Sequence, residues 1–114
     1  MTTILVADDE APIRDLLNDA LISEGYTVVT VADGRAAFDQ IERECPALII
    51  TDAMMPRLSG TALITLLRDA PMDTPPVLLM SAVTPQQPPT VPFLAKPFDL
   101  RQLFAMVQDM AGTP

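Results

Sequence analysis

The sequence contains no histidine and only one cysteine, Cys45. Without histidine the chain cannot form a Ser-His-Asp triad, supply a histidine general base or bind zinc through imidazole. A single cysteine cannot form an internal disulfide, which fits a reducing compartment. Any chemistry must therefore rest on carboxylates, hydroxyls and the sole lysine, Lys96.

Positive charge is also scarce, since 7 basic residues face 15 acidic ones and the net charge is −8. This balance argues against direct binding to nucleic acid or to an anionic membrane. No apolar run approaches the roughly 20 residues of a membrane span. Residues 1–3 lead directly into an apolar segment, without the basic region and cleavage site of a secretory signal. We therefore expect a cytoplasmic protein that does not bind membranes.

The length of 114 residues suffices for one hydrophobic core and is too short for a second. Hydrophobic residues make up 49% of the chain and charged residues 19%, which is typical of a globular protein. The sequence therefore predicts a single domain over residues 1–114.

Short apolar runs alternate with amphipathic helical patterns along the chain. The predicted strands are Thr3–Ala7, Thr27–Val31, Ala47–Thr51, Val77–Met80 and Pro92–Ala95. The predicted helices lie between Ile13 and Gly25, from Gly34 through Ile41, over Gly60–Arg68 and over Leu100–Met110. Such alternation indicates parallel βαβ units with right-handed crossovers. The expected fold class is α/β, a doubly wound, five-stranded parallel sheet of flavodoxin-like order 2-1-3-4-5.

The connection between the fourth and fifth strands breaks this alternation. It reads AVTPQQPPTVP over residues 82–92 and contains four prolines. Proline lacks a backbone donor and restricts the residue before it, so we expect a proline-rich loop in place of the fourth helix. A missing helix would uncover apolar residues of the last two strands, for which Val77, Leu79, Phe93 and Ala95 are the candidates. The prolines of the chain itself could cover such a patch, or another molecule could do so. The sequence thus predicts a surface centred on residues 83–95 for a partner or for a second copy of the chain, as in a homodimer.

Polar residues stand at the ends of four of the predicted strands. They are Asp8, Asp9 and Glu10 after the first strand, Asp52 after the third, Ser81 after the fourth and Lys96 after the fifth. In a doubly wound sheet, ligands bind at the carboxyl ends of the strands, so these groups should converge. Carboxylates this close repel one another unless a cation lies among them, and an all-oxygen cluster suits Mg²⁺.

Each of these residues also has an ordinary structural interpretation when it is taken alone. Asp9 or Glu10 could cap the helix that follows, and Asp52 could be a turn residue. A lysine is usually a solvated surface charge, but Lys96 lies within the apolar run FLAKPF. The occurrence of all of them at strand ends, in this order, favours one shared site.

Four motifs in this chain resemble those of the response-regulator receiver family of two-component signalling. They are VADDE (Val6–Glu10), TDAMMPRLSG (Thr51–Gly60), MSA (Met80–Ala82) and KPF (Lys96–Phe98). Each motif is weak alone, but the ordered set is specific, and the resemblance covers essentially the whole chain. It implies a phosphorylated signalling domain of the phosphorelay type.

The resemblance also implies a role for each site residue. Asp52 corresponds to the phosphoacceptor, Ser81 to a hydroxyl that contacts a phosphoryl oxygen, and Lys96 to the cation that pairs with the phosphoryl group. The implied Mg²⁺ ligands are Asp9 directly, Asp8 mainly through water, Asp52, and the backbone carbonyl of Met54. Phe93 matches an aromatic position whose rotamer reports activation, and the Lys96–Pro97 peptide matches one that is cis in relatives.

The implied function is to accept a phosphoryl group on Asp52 from a phosphohistidine. The donor would be a sensor histidine kinase or a histidine phosphotransfer protein, and the output would pass through contacts with a downstream effector protein. Such a domain is not an enzyme, beyond its own phosphoryl transfer and dephosphorylation. One alternative is a receiver-like binding module that signals without phosphorylation. The other is a phosphatase of the haloacid-dehalogenase type, whose DxD motif would need an aspartate where Met54 stands.

Overall fold

The computed structural model describes residues 2–69, 74–82 and 91–114, in which five strands and four helices alternate. The strands are β1 (Thr3–Ala7), β2 (Thr27–Val31), β3 (Leu48–Asp52), β4 (Val77–Ser81) and β5 (Phe93–Ala95). The helices are α1 (Ala11–Ser23), α2 (Gly34–Arg43), α3 (Gly60–Asp69) and α4 (Leu100–Ala111). None of these described helices has the length and apolar character needed to cross a membrane.

The strands form one sheet in the order β2-β1-β3-β4-β5, and every neighbouring pair is parallel. This confirms the predicted doubly wound, flavodoxin-like α/β fold. The chain runs outward from β1 to β2 and then returns to β3 on the other side of β1, so strand order reverses between β1 and β3. Because Ala7 pairs with Thr51, the residues that follow β1 lie beside the end of β3.

Two strands, β3 and β4, end one residue later than predicted. Asp52 pairs with Met80 and Ser81 pairs with Ala95, so both polar residues are the last members of their strands. The ladder even continues past β3, because the Ala53 N–H donates to the Met80 carbonyl oxygen at 2.8 Å. The hydrogen bonds of the neighbouring strand, rather than local hydrophobicity, determine these two boundaries.

The sheet is buried on both faces, which explains the continuous apolar runs of its central strands. On one face the sheet packs against α1 and α4, and the buried residues include Ile4, Val6, Leu17, Leu21, Leu48, Ile50, Leu78, Met80, Leu103 and Val107. On the other face it packs against α2 and α3, and the buried residues include Leu5, Ala7, Ala37, Ile41, Ile49, Leu63, Leu67 and Val77. The two cores hold the central strands rigidly, and the carboxyl ends of β1 and β3 with them.

The prediction of a proline-rich loop between β4 and β5 falls largely on residues 83–90, which lie outside the described residues. In the part of this connection that is described, residues 82, 91 and 92, there is no helix. Among the four apolar residues expected to be uncovered, Val77 and Leu79 are buried, each with 5% exposure. Phe93 is half-buried and Ala95 is exposed. The expectation of exposure is therefore wrong for the two β4 residues, of which Val77 packs in the core on the α2 and α3 face of the sheet.

A tyrosine ties the last residues of the chain to the start of β2. The ring of Tyr26 is buried, and its hydroxyl donates to the Gly112 carbonyl oxygen at 2.7 Å. Burial raises the pKa of Tyr26, and the charge of Glu24 adds to that effect.

We expect Tyr26→Phe to lower the free energy of unfolding by about 1 kcal/mol, because the ring packing stays while one hydrogen bond is lost. Urea denaturation measures this, and an unchanged midpoint would show that the bond adds no stability.

Candidate functional site

Four carboxylates gather at the carboxyl ends of β1 and β3. Asp8, Asp9, Glu10 and Asp52 each offer an oxygen atom, and these atoms all lie within 4.8 Å of one another. Asp8 is fully buried and Asp52 is 7% exposed, whereas Asp9 and Glu10 are exposed. The predicted convergence of acidic residues at this edge of the sheet is therefore confirmed. So many like charges at this distance favour a bound cation.

Asp8 is held by three donors from the protein. The Glu10 N–H donates to its Oδ1 at 2.9 Å, and Lys96 Nζ donates to its Oδ2 at 2.8 Å. Its backbone carbonyl accepts a hydrogen bond from Arg14 Nη1 at 2.7 Å. Both carboxylate oxygens of Asp8 are thus engaged. The Asp9 side chain, in contrast, has no hydrogen bond or ion pair within the described part of the chain.

Lys96 reaches into the cluster from the end of β5. Its Nζ lies 2.8 Å from Asp8 Oδ2, 3.2 Å from Asp52 Oδ2 and 3.7 Å from Glu10 Oε1, and its side chain is 11% exposed. Burial of the ammonium lowers its pKa, but the hydrogen bonds and charges of Asp8 and Asp52 outweigh burial, so the pKa of Lys96 lies above its usual value. This lysine is a structural counter-ion and not a solvated surface charge.

The backbone around Lys96 joins the same edge of the sheet. Its N–H donates to the Ser81 carbonyl oxygen at 2.9 Å, and the Lys96–Pro97 peptide is cis, as the family resemblance implied. Ser81 is buried at the end of β4, the strand next to β3. On the other side of Asp52, the Met54 N–H donates to Asp52 Oδ1 at 3.4 Å, and the Met54 residue is 69% exposed. All the residues assigned to the site from sequence therefore lie at one edge.

One residue of the site, Arg14, was not predicted from sequence, whereas Glu10 was expected in the acidic cluster without a specific role. Arg14 binds the Asp8 carbonyl from the first turns of α1. Helical side chains lean toward the N-terminus of their helix, so an arginine at this position could have been expected to reach back to the end of β1.

The donor set fits a hard divalent cation. The four carboxylates supply only oxygen atoms, and no sulfur or imidazole ligand accompanies them in this cluster. Asp9 and Glu10 are exposed, so an ion has access from solvent, while Asp8 and Asp52 form the buried floor. The arrangement can therefore hold a metal ion between a rigid inner pair and a solvent-facing outer pair.

Sequence comparison places the chain in a family. Residues 4–108 match the response regulator receiver domain family. The chain is 35% identical over 112 residues to the response regulator MprA of Mycolicibacterium vanbaalenii, covering 92% of this chain and 48% of that protein. The chain thus belongs to the response regulator receiver domains of two-component systems. Receiver domains are signalling modules and not classical enzymes.

Solved structures agree with this assignment. The receiver domain of the Francisella response regulator 1452 superposes with a TM-score of 0.89 at 27% identity, covering 97% of each chain. The receiver domain of the sensor histidine kinase PA1611 from Pseudomonas aeruginosa, solved with a magnesium ion coordinated in its active site cleft, gives 0.88 at 27% identity and 98% of each chain. The chain spans about half the length of MprA and of two relatives named probable transcriptional regulator ycf27, from Porphyridium aerugineum and Cyanophora paradoxa.

Proposed function

We propose that residues 1–114 form a receiver domain that accepts a phosphoryl group on Asp52 with the help of Mg²⁺. The observation that carries this proposal is the position of Asp52. Its carboxylate ends the central strand β3, lies within the acidic cluster, and has Lys96 Nζ 3.2 Å from its Oδ2. A carboxylate beside a fixed cation, at the strand-order reversal of a doubly wound sheet, suits transfer of an anionic group.

The proposed reaction is an in-line displacement at phosphorus. An Asp52 oxygen forms the new O–P bond while the bond from phosphorus to the nitrogen of a donor phosphohistidine breaks, and that nitrogen leaves with the electron pair. The ammonium of Lys96 offsets negative charge on a phosphoryl oxygen, and the hydroxyl of Ser81 contacts another. Bound Mg²⁺ would supply further positive charge to these oxygens. The product is an aspartyl phosphate at the carboxyl end of β3.

The proposed metal site uses Asp9, Asp52 and the Met54 carbonyl directly, and Asp8 mainly through water. The different engagement of the two neighbouring aspartates supports this division. Both oxygens of Asp8 already accept hydrogen bonds from Glu10 and Lys96, whereas the exposed Asp9 carboxylate has no protein donor within the described residues. Asp9 is therefore the carboxylate with free lone pairs for an ion.

The proposed partners follow from this chemistry. These 114 residues contain no histidine, so the phosphohistidine lies outside them, and we propose that it belongs to a sensor histidine kinase or a histidine phosphotransfer protein. The signal would pass to a downstream effector protein, and a second copy of the chain is a further candidate partner. A net charge of −8 argues against direct contact of this domain with nucleic acid or membrane. Such partners imply a cytoplasmic location.

One assay tests the proposal against its two alternatives. Wild-type protein is incubated with acetyl phosphate and Mg²⁺, and intact mass spectrometry measures incorporation. We expect one phosphoryl group per chain, and none when Mg²⁺ is removed with a chelator. Absence of labelling would favour a binding module that signals without phosphorylation. Sustained turnover of a phosphate ester would favour a haloacid-dehalogenase-type phosphatase instead.

Replacement of Asp9, a proposed direct ligand of the metal, should weaken Mg²⁺ binding. We expect Asp9→Ala to reduce the affinity for Mg²⁺ about tenfold or more, because a directly coordinating anion is lost. Isothermal titration calorimetry with MgCl₂ measures this. Asp19→Ala, which removes the same charge from an exposed position farther along α1, serves as the matched control and should bind Mg²⁺ nearly as wild type. Equal Mg²⁺ affinities of the two variants would show that Asp9 is not a ligand of the metal.

A further inference from the structure

The loop between β3 and α3, residues 53–59, contains an unusual backbone conformation. Arg57 has φ of 68°, and the N–H of Leu58 donates to the Pro56 carbonyl oxygen at 2.7 Å. A hydrogen bond across one residue, with positive φ at that residue, is a γ-turn of the rare, strained type. Arginine adopts this region of φ only when surrounding contacts force it to do so, and such strain is concentrated at functional sites.

The contacts that hold this turn come from the N-terminus of α2. The Gly34 N–H donates to the Leu58 carbonyl oxygen at 3.1 Å. Arg57 Nη1 lies 3.4 Å from Asp33 Oδ2, while Asp33 Oδ1 accepts a hydrogen bond from the Ala36 N–H at 2.8 Å. Asp33 is itself fixed, because it caps α2 and is only 8% exposed. The strained turn is therefore bound at two adjacent residues to a rigid helix.

The close approach of the loop requires glycine at position 34. A Cβ atom added to Gly34 would fall far inside the van der Waals radius of the Leu58 carbonyl oxygen and would also crowd the Leu58 side chain. The φ of Gly34 is not in the positive region, so alanine would suit the helix itself. The absence of a side chain at this position thus serves the contact with the loop and not the conformation of α2.

The other end of the loop is anchored on the phosphoacceptor strand. The Ala53 N–H donates to the Met80 carbonyl oxygen at 2.8 Å, and the Gly60 N–H donates to the Ala53 carbonyl oxygen at 3.0 Å. Met54 therefore lies between a fixed residue, Ala53, and the strained turn that α2 holds. Any movement of the turn must be taken up by the few backbone bonds around Met54.

We infer that Asp33, Gly34 and Arg57 are positioning residues for the metal site, which hold the β3–α3 loop so that the Met54 carbonyl is prearranged next to Asp52. This inference rests on the proposed function, in which that carbonyl is a Mg²⁺ ligand. A loop held in place before binding does not have to be ordered by the ion, so affinity is higher than for a free loop. The N-terminus of α2, which contributes no atom to the acidic cluster, thereby acts on the site.

The first test is Gly34→Ala, which should separate the loop from α2. We expect the affinity for Mg²⁺ to fall about tenfold, the lower end of the effect seen when groups that orient metal ligands are lost. Isothermal titration calorimetry with MgCl₂ is suitable, since the chain has no tryptophan for a fluorescence titration. Circular dichroism checks that the variant is folded.

The second test compares Arg57→Gly with Arg57→Ala, two variants of equal charge. Glycine adopts positive φ without strain, so Arg57→Gly should unfold at the same temperature as Arg57→Ala or a higher one. Because its turn is more flexible, Arg57→Gly should nevertheless bind Mg²⁺ about two- to fivefold more weakly than Arg57→Ala. A purely structural role for Arg57 would make stability and affinity change in the same direction. Arg35→Ala, which breaks an exposed ion pair with Asp39 and a contact with the Phe38 ring on α2, controls for loss of a positive charge.

The outcomes separate this inference from the proposed function. Suppose that wild type binds Mg²⁺, that Gly34→Ala binds it as tightly as wild type, and that Arg57→Gly binds it as tightly as Arg57→Ala. The positioning role is then wrong and the metal site stands. If wild type does not bind Mg²⁺, the proposed metal site is wrong and the inference falls with it. If Gly34→Ala does not fold, the two Arg57 variants decide the question alone.

Discussion

Asp52→Asn should take up no phosphoryl group from acetyl phosphate and Mg²⁺ under conditions in which wild type takes up one. The amide is nearly the same size as the carboxylate, but it is not a competent nucleophile toward phosphorus. It also removes one negative charge from the cluster, so the fold should persist. We therefore expect complete loss of labelling in a protein whose circular dichroism is unchanged. Intact mass spectrometry reads the incorporation directly.

The control for this substitution is Asp19→Asn, an exposed aspartate of α1 that lies outside the acidic cluster. It should be labelled to the same extent as wild type. Undiminished labelling of the Asp52→Asn protein would mean that another residue accepts the phosphoryl group, and the assignment of the site would be wrong. Digestion and fragment mass analysis would then identify the true acceptor.

Lys96→Ala should impair phosphorylation while its Mg²⁺ affinity stays the same or rises. One positive charge leaves the pocket, so the remaining carboxylates attract a divalent ion more strongly. The same change leaves Asp8, which is fully buried, without its cation. Removal of one partner of a buried ion pair destabilises a protein by about 3 kcal/mol or more. We expect this loss in the absence of Mg²⁺, and partial recovery when Mg²⁺ is saturating.

Urea denaturation with and without MgCl₂ measures this effect, together with a calorimetric Mg²⁺ titration. Lys96→Met is the matched control, because it keeps much of the apolar stem and removes only the charge. If charge is the cause, both variants should behave alike. A clearly weaker Mg²⁺ affinity in both would contradict a position of Lys96 within the site, since a nearby cation can only compete with the metal.

The pKa of Lys96 sets the pH range of its contribution to stability. Its folded pKa is raised above the ordinary value, so the ammonium pairs with Asp8 and Asp52 throughout the neutral range. This stabilisation is complete below the unfolded pKa and is lost only as the pH rises through the higher folded value. The difference in stability between wild type and Lys96→Ala should therefore be the same at any pH near neutrality, because the wild-type ammonium stays charged there.

Much of this protein was predictable from local patterns in the sequence. Continuous apolar runs such as TILVA and ALIIT are typical of strands that are buried on both faces, and the structure confirms them as β1 and β3. Alternation of strands with helices admits few topologies, because crossovers are right-handed and parallel strands present their carboxyl ends at one edge. That rule alone predicted that Asp8, Asp52 and Lys96 would meet, although 88 residues separate the first from the last.

The tertiary structure decided what depends on contacts between distant segments. Strand boundaries at Asp52 and Ser81 follow from the ladder with neighbouring strands, which no local pattern reports. The burial of Val77 and Leu79 depends on the packing around β4, and the hydrogen bond from Arg14 to Asp8 depends on where α1 starts. The hydrogen bond between Gly34 and Leu58 joins the N-terminus of α2 to the β3–α3 loop, and the separation of these segments in sequence carries no periodic signal. Sequence patterns report how a segment is solvated and how its residues alternate, whereas the partner that a given atom meets exists only once the chain has folded.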